Sequence, residues 1–169
     1  MHATGTSSSQ RLGNCCASGR IQTNRADWAA LPLRMIVGYG FVQHGLAKLT
    51  RGPEAFATAL HGLAVPLPHL MAWLTILIEI CGGLAVLIGL FIPQFAMLMA
   101  AVLLVAMFKV HLQFGFSSIK LVAVSSGRPQ FGPPGYECDL LYLACLAALV
   151  IGGPGPWAVT RLFARTNRE

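Results

Sequence analysis

Residues 69–91 read HLMAWLTILIEICGGLAVLIGLF, an apolar run whose only acid is Glu79. As a helix rising 1.5 Å per residue it would extend about 34 Å, enough to cross a hydrocarbon core of roughly 30 Å. The run does not alternate polar with apolar, so it does not read as a barrel strand. In lipid the backbone must satisfy its own hydrogen bonds, which leaves a helix.

Outward from this run the chain offers three more spans. Residues 29–49 precede it and are the most polar, with Arg34, Gln43, His44 and Lys48. Arg34 and Lys48 fall near the ends, where long side chains can reach the headgroups. Residues 94–113 follow the turn at Pro93, and residues 136–153 close at GGPGP. Between the first two spans AFATALHGL (55–63) suits a short interfacial helix bounded by prolines. Residues 114–135 form a long link ending in FGPPG, a turn-rich stop. The expectation is an all-α integral membrane four-helix bundle over residues 29–157. A disordered Ser/Gly/Thr/Arg-rich tail (1–28) precedes it, and a basic tail (158–169) follows.

The composition agrees. The chain has 169 residues, 55% hydrophobic and 11% charged, against about 25% charged in an average soluble domain. Its net charge of +6 resides in tails, loops and helix ends, with no basic stripe interleaved with aromatics, so nucleic acid is not an expected partner. The expected partner is the lipid bilayer. The five cysteines are odd in number and show no CxxC spacing, which argues against a disulfide framework or a metal site. Cys138 and Cys145 share a helix face but suit small hydrophobes better than a redox pair. Residues 1–28 lack the apolar segment of a secretory signal. Basic residues in the tails (Arg11, Arg20, Arg25, Arg161, Arg165, Arg168) outnumber those of the opposite loops (Lys48, Arg51, Lys120, Arg128). Both termini are therefore expected in the cytoplasm.

The informative residues are those that stay polar inside the spans. At about 100° per residue Arg34, Gly38, Gly45 and Lys48 fall on one stripe, with His44 at its edge. Thr75, Glu79, Gly82 and Gly83 share a face of the second span, and glycines on both faces invite close packing. Connectivity sets Lys48, His111 and Glu137 at one end of the bundle, His44 deeper and Glu79 at the base. Arg34 is expected to approach Glu79 from the other side. Arg34, His44, Lys48, Glu79, His111 and Glu137 are thus the candidate ligand-binding or proton-path residues, because ionisable groups inside a membrane are costly. The bland alternative is a paired carboxylate that only fixes helix register. No Walker loop, nucleophile elbow, HExxH, dinucleotide fingerprint, haem-ligand pair or iron–sulfur spacing occurs, so no catalytic residue is assigned.

Taken in order, GYGFVQHGLAKL (38–49), LIEICGGLAVLIGLF (77–91), FKVHLQFGF (108–116), FGPPGYECDLLYL (131–143) and GGPGP (152–156) resemble the DoxX family of small membrane proteins. The resemblance runs from Leu31 to Trp157. It implies four transmembrane helices in a bacterial inner membrane, with matching polar positions at Arg34, Lys48, Glu79, His111 and Glu137. It also implies a subunit or accessory of a membrane-associated, quinone-linked redox system, with redox-protein partners and a quinone as the only cofactor suggested. After Gly-Pro-Gly the family often carries a Ser-Leu-Asp-like segment; here Trp157-Ala158-Val159-Thr160 has no acid. Two further readings are a small-solute or ion carrier acting as a homo-oligomer, and a non-catalytic membrane scaffold or stress-linked protein.

Overall fold

The computed structural model describes residues 25–125 and 127–161. Cys15, Cys16 and most of both basic tails lie outside them. The described residues form five α-helices and one hairpin: α1 Arg25–Arg51, α2 Pro53–Gly62, α3 Pro68–Ile88, α4 Ile92–Ala106, β1 Leu121–Ser125, β2 Arg128–Phe131 and α5 Glu137–Gly152.

Turn chemistry sets the boundaries. Gly52 at φ +98° separates α1 from α2, and Pro53 opens α2 without giving up a needed amide, since first-turn amides have no helical partner. Gly89 at φ +74° ends α3, where it donates to carbonyls of the last turn. Pro68 and Pro93 stand in the first turns of α3 and α4. Beyond Ala106 the helix widens into a π turn, Met107–His111, and tightens into a 3₁₀ turn, Leu112–Phe114.

Four helices follow one another as neighbours around a cycle, α1 to α3, α3 to α4, α4 to α5 and α5 back to α1, while α2 lies against α3. Val37 and Phe41 of α1, Val86 of α3, Ile92, Ala96 and Met99 of α4, and Leu146 and Leu149 of α5 fill the interior. The α1–α3 seam is the tightest. A Cβ on Gly38 would sit 2.7 Å from the Gly83 carbonyl oxygen, and one on Gly83 would sit 2.7 Å from that of Gly38. Only two residues without side chains allow the backbones this near. Gly82 turns the other way, toward Met99 of α4.

Among the described residues two helical stretches, Pro68–Ile88 and Ile92–Phe114, are long and apolar enough to cross a membrane. In the second only 17% of the most apolar window is buried, so most of its hydrocarbon faces outward. Leu77, Leu84, Met97, Leu98, Leu104 and Phe108 are all exposed. Contiguous outward apolar surface of this kind calls for an apolar solvent. The first and last helices do not pass that test: α1 carries too much polarity, and α5 has only 16 residues.

The structure departs from expectation at three places. Helix α1 begins at Arg25, inside the stretch read as tail, and runs through Pro32. The 114–135 link contains the β1–β2 hairpin, paired antiparallel with an irregularity between Leu121 and Ala123. Its strands LVAVS and RPQF lie within the stretch expected to be a link alone. Finally, the C-terminal segment folds back onto the α3–α4 turn: Ala158 is buried, and the Thr160 hydroxyl donates to the Gly89 carbonyl at 2.8 Å.

Candidate functional site

The α1 stripe faces α3 along its whole length, but its two charged ends do different things. Arg34 is 2% exposed. Its Nε donates to the Val86 carbonyl (3.0 Å) and its NH2 to that of Leu87 (2.7 Å). Its NH1 donates to the carbonyls of Pro154 (2.9 Å) and Pro156 (3.4 Å). The last carbonyls of a helix have no helical partner and form the negative end of its dipole, so a guanidinium is well suited to them. The same fork holds the GPGP segment after α5, where Gly155 lies against Asp27 and Ala30 of α1 so closely that a Cβ would clash. Arg34 therefore does not approach Glu79. Its donors are committed to backbone at the opposite end of the seam.

Glu79 meets Lys48 instead. Lys48 Nζ donates to Glu79 Oε1, and the two form an ion pair. Three residues beyond Gly45, Lys48 stands near the end of α1 and reaches back toward α3. A Cβ on Gly45 would lie 2.6 Å from Ile80 Cγ1 and 3.2 Å from Glu79 Cβ, so this glycine is what lets the two helices close around the carboxylate. Helix α2 contributes the Phe56 ring, whose centroid lies 5.1 Å from Lys48 Nζ, a cation–π contact that covers the ammonium. Glu79 is 4% exposed and stands about 16 Å from the start of α3. Its second oxygen, Oε2, is buried with no hydrogen-bond partner among the described residues.

A second polar pair joins α4 to α5. His111 Nδ1 lies 2.6 Å from Asp139 Oδ2, and Asp139 is 5% exposed. His111 is the last residue of the π turn, a wider turn of the kind often found at functional sites. Asp139 was not among the sequence candidates. The signal was present: Asp139, Leu146 and Leu149 are the buried residues of α5, spaced seven and ten apart on one helical face.

Glu137, two residues away and so on another face, plays a local part. Its Oε2 accepts the Ser118 amide at 3.0 Å and ties the link to the start of α5. His44 is exposed and does not contact Glu79. Its ring lies edge-on to Tyr142 at 6.4 Å, and Tyr142 also packs edge-on to Phe41 at 5.6 Å. Of the six sequence candidates, then, Lys48 and Glu79 meet, His111 finds an unforeseen partner, and Arg34, His44 and Glu137 go elsewhere. Cys138 is exposed and Cys145 partly buried, both as free thiols. Among the described residues no group of three or more His, Cys, Asp or Glu side chains is placed to hold a metal ion.

No curated protein and no solved structure matches the chain. Residues 29–112, from α1 through the π turn, match the family model described as DoxX. The match takes in Arg34, Lys48, Glu79 and His111 but stops short of Glu137 and Asp139. With its outward-facing apolar helices and this match, the chain belongs to the DoxX family and is a membrane protein.

Proposed function

We propose that α1, α3, α4 and α5 all cross the bacterial inner membrane, and that the bundle serves a quinone-linked redox system as a subunit or accessory, with Glu79 as its polar centre. The observation that carries this reading is the unpartnered Oε2 of Glu79. A buried carboxylate oxygen without a donor is costly, and in a membrane interior such a group is a functional candidate by default. Lys48 holds one oxygen and leaves the other to accept a hydrogen bond from a ligand hydroxyl, or to take a proton and donate to a carbonyl.

A quinone and its hydroquinone present those two groups on one apolar ring. The ring suits a site built among hydrophobic helices, and the seam residues supply what its oxygens need. The bound quinone would supply the redox chemistry. The chain's part is to position it and to hold or release a proton at Glu79. The electrons come from a partner protein, since the sequence carries no haem-ligand or iron–sulfur pattern. Both termini face the cytoplasm, following the basic tails.

The test uses purified wild-type protein and Glu79→Gln in detergent or nanodiscs, titrated with a series of quinones and hydroquinones. Intrinsic fluorescence and thermal unfolding give the readout. A saturable response in the wild type, lost in Glu79→Gln at equal folded yield, supports the reading. No response across the series, with Glu79→Gln altering stability alone, leaves a scaffold role in its place.

A further inference from the structure

The β1–β2 hairpin makes no extended contact with any helix. Both strands are exposed along their length, yet Ile119, Leu121, Val122, Val124 and Phe131 are large, apolar and each at least 59% exposed. Water is a poor solvent for this cluster. We propose that the hairpin lies in the headgroup region of the bilayer and anchors that end of the bundle to anionic lipid.

Three observations select lipid over other occupants. The first is position. The apolar helical stretch Ile92–Phe114 ends seven residues before β1, and α5 begins six residues after β2. The base of the link is stitched to itself: the Gly135 amide donates to the Ser117 carbonyl (3.1 Å), that of Tyr136 to Gly115 (3.1 Å) and that of Glu137 to Phe116 (3.0 Å). The hairpin is therefore held at the level where the flanking helices end. The second is charge. Lys120 immediately precedes β1 and Arg128 opens β2, so cations flank the apolar residues, as in segments that lie on anionic membranes.

The third observation sets the depth. A two-stranded sheet has two open edges whose amides and carbonyls need partners. In the hydrocarbon core those groups would go unsatisfied, whereas headgroups and their water satisfy them. Apolar side chains draw the hairpin toward lipid and its edges stop it at the interface. Edge pairing with another protein is the competing occupant, and the test separates the two.

Benzoylphenylalanine is placed at position 124 in place of Val124, and at Met97 as a lipid-facing control on α4. The full-length protein is irradiated in vesicles of phosphatidylethanolamine and phosphatidylglycerol and in native membranes, and adducts are identified by mass spectrometry. The control must form lipid adducts, which shows that the protein is inserted. The proposal expects lipid adducts at position 124 as well. It also expects the phosphatidylglycerol share to fall about fivefold or more when Lys120→Glu and Arg128→Glu are introduced together. Adducts at 124 mainly to protein, or no adducts while Met97 labels lipid, would overturn it. So would a phosphatidylglycerol share unchanged by charge reversal. None of these outcomes bears on the Glu79 site.

Discussion

The two ends of the α1–α3 seam each bury a charge, and they differ in how completely that charge is satisfied. Arg34 has carbonyl partners for all three of its nitrogens, contributed by α3 and by the chain after α5. Among the described residues Glu79 has one hydrogen-bonding partner, Lys48, and one oxygen left over. Glycines bring the two helices together at both ends, Gly38 and Gly83 near Arg34 and Gly45 beside Glu79. A fully satisfied buried charge holds a fold together. A partly satisfied one costs stability and makes sense if something outside the chain completes it.

Breaking the satisfied end carries the largest expected effect. Arg34→Leu takes the donor from the carbonyls of Leu87, Pro154 and Pro156, at about 1–3 kcal/mol for each that stays buried, and leaves the Val86 carbonyl only the Gly89 amide. We expect a loss of about 4 kcal/mol or more, measured by detergent unfolding. Proteolysis of the chain after α5 should rise with it. Unchanged stability and unchanged proteolysis would remove the contrast between the ends.

The seam itself comes next. Gly83→Ala puts a methyl 2.7 Å from the Gly38 carbonyl oxygen and 2.9 Å from Val42 Cγ2, and backbone cannot step aside as a flexible side chain can. Overpacking of this kind costs about 1–3 kcal/mol. Gly62→Ala, which meets nothing within 4 Å, should be silent or slightly stabilising and serves as the control.

At the unsatisfied end a double-mutant cycle sharpens the comparison. Lys48→Leu removes the only donor that the described residues offer a buried carboxylate and should destabilise by roughly 1–3 kcal/mol. Lys48→Leu with Glu79→Leu removes both charges and should recover most of that loss. Failure of the double variant to recover would mean that Lys48 and Glu79 are not coupled. Arg34→Leu combined with Glu79→Leu should show no such recovery, because those two residues share no contact.

Among the charged residues of the seam the smallest expected change in stability is that of Glu79→Gln, under about 1 kcal/mol, since the amide keeps the size and can still accept from Lys48. Its effect on quinone response should nonetheless be complete. A large loss of stability from this substitution would place Glu79 alongside Arg34 as a purely structural residue.

Much of the helical plan was legible because apolar runs and turn residues act locally. The 69–91 run, the prolines at 68 and 93, and the short 55–63 helix all appear within a few residues of where they were read. The hairpin was not legible, because strand pairing depends on two segments meeting, and neither LVAVS nor RPQF announces a partner. Helical phase found the α1 stripe and its glycines, since both lie on one element. It could not say which charge of that stripe reaches Glu79, because reach across a seam depends on the offset between two helices.

Asp139 shows the same division from the other side. Phase alone could have marked it as inward-facing on α5, but its partner His111 closes the π turn after α4, a segment far off in the chain. The sequence by itself determined that the chain is helical and apolar, where its turns fall, and that α1 and α3 would pack through glycine, because propensity, hydropathy and phase belong to single segments. Only the tertiary structure decided that Arg34 caps α3, that Lys48 rather than Arg34 meets Glu79, and that one carboxylate oxygen is left without a donor. Those outcomes rest on distances between segments far apart in the chain, and such distances exist only once the helices have packed.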